Sequence, residues 1–216
     1  MRRIVKHEEC TELAIWKTHN PGKVYNDLDG SVRQPIRKSL LKEQHGLCAF
    51  CCDRIPKEKG RNAHLFSQRD FPQKSLEWDN IVVSCEKKYC CDTKQGGVSI
   101  PLTPLMKECE KEIKFYASGR IEGVTERAKI TIKTLGLDDY RLCTMRRVAL
   151  QLLAQREGCD PIQEVSILSD EEKLLLIQAI NTPDEEEKLP SFAPVLVNFV
   201  KTLIDYEQIS SSETKF

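Results

Sequence analysis

Apolar positions change their period three times along this chain. In "VRQPIRKSLLKEQ", Ile36, Leu40 and Leu41 recur at helical spacing. That predicts a helix with Ser31 as its cap and Gly46 just past its end. Upstream, residues 1–30 read as an N-terminal arm, with a short helix over "CTELAIWKT" and turns over "HNPGKVYNDLDGS". Residues 47–105 carry few helix signals, and Ile81-Val82-Val83 in "LEWDNIVVSC" is the best strand. Gly96 and Gly97 break the chain before "VSIPLTPL". Residues 106–216 read as helical. Val124, Ala128, Ile132 and Leu135 form one stripe, closed by Gly136. Leu142, Met145, Val148, Leu152 and Leu153 form another. "SDEEKLLLIQAIN" starts with a polar cap and acids, as a helix N-terminus prefers, and "PSFAPVLVNFVKTLIDY" supplies a last apolar helix. "DEEEK" at 184–188 reads as a solvated linker.

Composition narrows the class. The 216 residues are 40% hydrophobic and 31% charged, an ordinary profile for a water-soluble domain. Lys plus Arg equals Asp plus Glu, 33 each, so no whole-molecule field recruits nucleic acid. Any such binding must come from a local basic patch. Arg54, Lys57, Lys59, Arg61, Arg69 and Lys74 could form one around His64, or could be a solvated face. Nothing reads as a base-reading helix or a Gly-rich phosphate loop. No run of about 18 apolar residues predicts a membrane span, and "MRRIVKHEEC" lacks the apolar centre of a signal peptide. The expected address is cytoplasmic.

That address gives the ten cysteines a meaning. Clustered thiols kept reduced are metal ligands more often than disulfides. Cys48 and Cys51 have Cys-x-x-Cys spacing, and "SCEKKYCCDTK" supplies Cys85, Cys90 and Cys91. The second spacing is wider, with five residues between Cys85 and Cys91, yet the two pairs suit a tetrahedral zinc, structural because four thiolates leave no open position. The rival reading makes them small buried hydrophobes. No βαβ pattern supports a redox pair. Cys10, Cys109, Cys143 and Cys159 read as lone thiols, and Cys52 has no evident role.

Between the two cysteine groups lies "RNAHLFSQRDFPQKSLEWDNIVVSC". A metal clip enclosing a His and an Asn resembles the HNH, or ββα-metal, nucleases. "LLKEQHGLCAFCCDRI", "LEWDNIVVSC" and "YCCDTKQG" look like the PtuB-type HNH proteins of Septu anti-phage systems and related retron operons. "MRRIVK" with "ELAIWK", "KFYASGRIEG" and "YRLCTMRRVALQLL" extend the likeness over most of the chain. The resemblance implies an α+β fold: a small zinc-braced ββα-metal motif within a mostly helical protein. It implies an HNH domain at 31–105 and a helical, partner-docking region at 106–216.

It also implies roles. His64 matches the general base and Asn80 the residue that holds the loop or base. Asp92 or Lys94 matches the third polar residue, on the final helix. Cys91 becomes the fourth zinc ligand, with Cys90 as second choice. A catalytic Mg or Mn would stabilise charge on the phosphate. The implied partner is a PtuA-type ATPase, in retron operons with a reverse transcriptase and its RNA/DNA. One position departs from the family, which usually has an acid just before the catalytic His. Here that residue is Ala63. Asp92, Asp79 or Asp70 takes over, or metal dependence is weak, or the site is impaired, natively or by an engineered change. Three functions follow: a DNA endonuclease effector of a defence complex, a non-catalytic zinc adaptor, or an RNA (tRNA) nuclease.

Overall fold

The fold is described from a computed structural model that covers residues 1–56, 59–153 and 160–204. Lys57 and Cys159, both named above, lie outside the described residues. Helix α1 spans Thr11–His19 and α2 spans Gly30–Glu43. Strands β1 (Arg61–His64) and β2 (Ile81–Ser84) form an antiparallel pair that registers His64 opposite Ile81 and Ala63 opposite Val82. The short helix α3 (Cys91–Gln95) follows. A second antiparallel pair joins β3 (Ile113–Phe115) and β4 (Ile121–Gly123). Then come α4 (Glu126–Leu135), α5 (Tyr140–Gln151), α6 (Pro161–Ser166), α7 (Asp170–Asn181) and α8 (Ala193–Lys201). The described residues therefore form a mixed helix-and-strand fold with two small sheets. No described helix is long and apolar enough to cross a membrane.

Strand β2 is buried along its whole length, which is why it reads as a continuous apolar run and not as an alternation. Helix α2 presses Val32, Ile36 and Leu40 toward it. Its cap is Asp29, not Ser31: the Asp29 carboxylate accepts from the Ser31 N–H at 2.7 Å. A carboxylate serves better there, because it also meets the positive end of the helix dipole. Helix α7 starts at its polar signal and α4 ends at Gly136 as predicted, but α4 begins after Val124, which precedes the cap and is exposed instead of joining the buried stripe. Thr125 caps α4 and Gly136 ends it in the left-handed region at φ 60°. Ser169 and Glu172 close a capping box on α7.

The stretch read as an arm packs into the same core as the residues after it. Met1, Ile4, Leu13 and Tyr25 are buried in that core. Lys6 donates to the Ile81 carbonyl at 3.0 Å, pairs with Glu43 at 3.2 Å, and lies 4.2 Å from the Trp78 ring centre. The core continues past residue 105 to Leu142, while a second cluster gathers Leu47, Cys52, Val165 and the apolar face of α8.

Two segments differ from the helical reading. Residues 113–123 form a hairpin turned at Gly119, where φ is 81° and an added Cβ would lie 2.0 Å from the Cys143 carbonyl. Helix α5 buries Leu142, Arg146, Ala149 and Leu150, and leaves Val148 and Leu152 exposed. The buried stripe is thus rotated from the apolar stripe. Arg146 accounts for the rotation: its guanidinium donates to the Gly119 carbonyl at 3.1 Å and the Leu137 carbonyl at 2.7 Å, so burial leaves most of its polarity satisfied.

Candidate metal centre and adjoining cleft

Cys48 and Cys51 sit in the turn after α2, Cys85 follows β2, and Cys91 opens α3. Their four Sγ atoms lie within 4.8 Å of one another, and all four residues are buried. Cys48 and Cys91 are 3.7 Å apart, Cys51 and Cys85 3.9 Å. Zinc–thiolate bonds of about 2.3 Å require tetrahedron edges of about 3.8 Å, so the spacing fits zinc. The Cys85 N–H points at the Cys48 sulfur at 3.3 Å, a bond that favours the thiolate. Cys90 is buried with its sulfur 3.6 Å from that of Cys91, yet it stands outside the group of four.

The thiols cannot all ionise unaided. Hydrogen bonding with Cys48, then Cys51, Cys90 and Cys91, pushes Cys85 down toward thiolate. Hydrogen bonding to Cys48 pushes Cys51 up, and burial pushes Cys91 up. Packed thiolates repel in a low dielectric, and a divalent cation removes that penalty. This buried set of four cysteines can hold a structural metal such as zinc.

Lys87 flanks the cluster. Burial opposes its charge, but Asp53 at 2.6 Å and the thiols of Cys51 and Cys85 hold its pKa above the ordinary lysine value. Cys52, without a role in the sequence, adopts φ 62° and joins the second core cluster. Its carbonyl accepts from the Phe192 N–H at 2.8 Å.

Along one face of β1 lies a cleft of about 580 Å³. His64 ends the strand and lines it. Nε2 of His64 meets the Ser75 carbonyl at 3.0 Å and Nδ1 meets the Gln68 amide nitrogen at 3.0 Å. The carbonyl can only accept, so Nε2 carries the proton and Nδ1 presents its lone pair. Burial lowers the His64 pKa, partly opposed by the Ser75 bond, so the ring is neutral at pH 7. The Tyr25 ring stands edge-on, 4.6 Å from the imidazole.

Asn80 is buried behind this loop. Its Oδ1 accepts from the Phe66 N–H at 2.7 Å and its Nδ2 donates to the Lys74 carbonyl at 2.9 Å. One amide thereby ties both ends of the loop that follows His64. Asp92 lines the cleft and pairs with Arg61 at 3.4 Å. Burial raises its pKa, and Arg61 opposes the rise. Lys94 does not line the cleft. It is exposed, and its stem lies against Gly136, just past the end of α4.

Ala63 points into the core between Asn62 and His64, which both line the cleft. Of the three acids considered as substitutes, Asp92 alone lines it. Asp70 is exposed and pairs with Arg69, and Asp79 is exposed. The cleft holds a further carboxylate, Glu86, that the sequence did not single out.

The basic residues separate. Arg61 and Arg69 line the cleft. Arg54 pairs with Asp184, Lys59 is exposed without lining the cleft, and Lys74 lies over the Phe66 ring at 4.4 Å. Two unnamed arginines, Arg33 and Arg37 on α2, line it instead. Their spacing, one helical turn apart just before the Cys-x-x-Cys turn, was the available signal.

Six buried side-chain polar atoms among the described residues lack a hydrogen-bond partner, and three belong to cleft residues: Arg33 Nε, Asn62 Oδ1 and Gln95 Oε1. These three atoms leave hydrogen-bonding capacity beside the cleft that a ligand or water can meet. Comparison with models of known protein families and with curated proteins gives no match.

Proposed function

We propose that this chain is a metal-dependent HNH endonuclease that hydrolyses phosphodiester bonds of nucleic acid, DNA in preference to RNA. The observation that carries the reading is the placement of His64. It is a neutral histidine ending the first strand of a strand–strand–helix unit, in a cleft, with four cysteines gathered behind it.

In this reading His64 Nδ1 takes a proton from the attacking water, while Ser75 fixes the tautomer. Gln68 occupies Nδ1 in the structure and yields that place to the water. Asn80 keeps the loop, and so the ring, in position. Asp92, with the free amide oxygens of Gln95 and Asn62, would hold Mg or Mn. Such an ion needs only one or two carboxylates plus substrate oxygens and water. It supplies charge stabilisation on the phosphate. Zinc braces the fold and takes no part in the chemistry.

By its resemblance to the PtuB type, the enzyme is the effector of an anti-phage complex. Its partner is a PtuA-type ATPase, with a retron reverse transcriptase and its RNA/DNA where the operon has them. The C-terminal helices dock to that partner. The test is purified chain, with and without the ATPase and ATP, in Mg²⁺ or Mn²⁺, on DNA and on RNA. His64→Ala should not cleave. Cleavage of RNA alone would move the assignment to an RNA (tRNA) nuclease.

One observation favours the adaptor reading. Among the described residues, the four cysteines are the one group of three or more His, Cys, Asp or Glu side chains poised around a common point. Calorimetry with Mn²⁺ on the zinc-loaded protein separates the two. A second divalent site supports the nuclease, and its absence the adaptor.

A further inference from the structure

The cleft is lined by four arginines and two carboxylates. Two of the arginines already have acid partners: Arg61 pairs with Asp92 and Arg69 with Asp70. Arg33 and Arg37 pair with no carboxylate among the described residues. Arg33 donates through Nη2 to the Tyr25 and Asn26 carbonyls at 3.3 and 3.2 Å, and its buried Nε has no acceptor. Arg37 donates through Nη1 to the Gly60 carbonyl at 2.6 Å.

A guanidinium carries five N–H donors. Each of these two has spent one nitrogen on backbone carbonyls, which fix the group without neutralising it. Both are half-buried, one turn apart on α2, along the wall that reaches His64 through Tyr25. The Asp29 carboxylate one turn before Arg33 feels its charge but forms no ion pair with it, so both guanidinium groups keep oriented donors for an incoming anion.

We propose that Arg33 and Arg37 form an anion subsite for a phosphate of the substrate strand, next to the phosphate presented to His64. This rests on the reading of the cleft as a nucleic-acid site. It gives the chain, whose net charge is zero, its own grip on a strand. A forked donor pair suits phosphate oxygens, and contacts of this kind give affinity without sequence choice.

The experiment is fluorescence anisotropy with labelled single- and double-stranded oligonucleotides, on zinc-loaded His64→Ala protein across a salt series. Arg33→Gln and Arg37→Gln should each weaken binding about tenfold at low salt and lower the salt slope by about one. Lys38→Gln, an exposed charge on the same helix, should change affinity less than twofold. Arg37→Lys keeps the charge without the fork. It should keep the slope while losing a few-fold in affinity, and it decides the matter if a Gln variant does not fold. Binding by the parent that neither Gln variant weakens, or that Lys38→Gln weakens equally, overturns the subsite and leaves the nuclease reading standing. No binding of any oligonucleotide overturns the subsite, and cleavage by the His64 protein then decides the nuclease reading separately.

Discussion

Cys48 and Cys91 hold their sulfurs 3.7 Å apart although 43 residues separate them in the chain. That contact closes a loop containing β1, His64, Asn80 and β2. Everything proposed for the cleft depends on this closure.

Removing the metal should therefore unfold the region and not merely inactivate it. Cys91→Ser should lower zinc content well below one equivalent and cost about 4 kcal/mol or more, read by melting. Cys90→Ser should keep zinc and cost about 1 kcal/mol, since Cys90 stands outside the group of four. Equal zinc loss in both variants would remove Cys91 from its place as fourth ligand.

The pH response of His64 has a definite sign. Burial lowers its folded pKa below the usual 6.5, so the unfolded chain binds the proton more readily. Stability should be fully present above pH 6.5. It should fall as pH drops from 6.5 toward the folded pKa. Cleavage should hold through pH 6.5 and fade only below the folded value, where the base is protonated. A His64→Gln chain should lose the cleavage trend and show a shallower stability trend, kept in part by His45, whose pKa burial also lowers; chemical denaturation at several pH values can check this.

Asn80→Ala should strip the loop of both anchors. Loss of two buried hydrogen bonds costs about 1–3 kcal/mol. The expected result is a lower melting temperature with zinc retained, and a fall in kcat greater than any rise in KM.

Asp92 and Lys94 should behave oppositely. Asp92→Asn should abolish Mn²⁺ binding at the second site and cleavage with it. Lys94→Ala should leave cleavage within about twofold of the parent, because the side chain is exposed and lies against Gly136. A large loss in Lys94→Ala would count against the cleft as the reactive centre.

That contrast also shows what a sequence discloses. The converging cysteines were legible because metal ligands come in short, recognisable spacings. The positions of His64 and Asn80 beside the strands were legible through the motif around them. The choice between Asp92 and Lys94 was not, because it depends on how a five-residue helix is rotated about its axis, and each residue turns that axis by about 100°. Gln95, one residue further, lines the cleft where Lys94 does not. Arg33 and Arg37 offered only their one-turn spacing as a signal, and that spacing does not tell that the flank of α2 beside its apolar stripe borders the cleft. The β3–β4 hairpin was missed because each strand has three residues, too few to show alternation. The burial of Arg146 depends on two carbonyls, one of them across the hairpin turn, and no hydropathy pattern reports that.

Cys52 belongs to the knuckle, the turn after α2 that carries Cys48 and Cys51. Three hydrogen bonds stitch residues 45–54 to residues 189–192: Leu189 N–H to the His45 carbonyl, Phe192 N–H to the Cys52 carbonyl, and Arg54 N–H to the Ser191 hydroxyl. Helix α8 is thus tied at its start to the metal turn. The knuckle and α8 should open as one cooperative unit, with their amides exchanging with solvent at a common rate that chelation accelerates together. A force applied at α8 by a bound protein would then reach the cysteines first and the cleft through them.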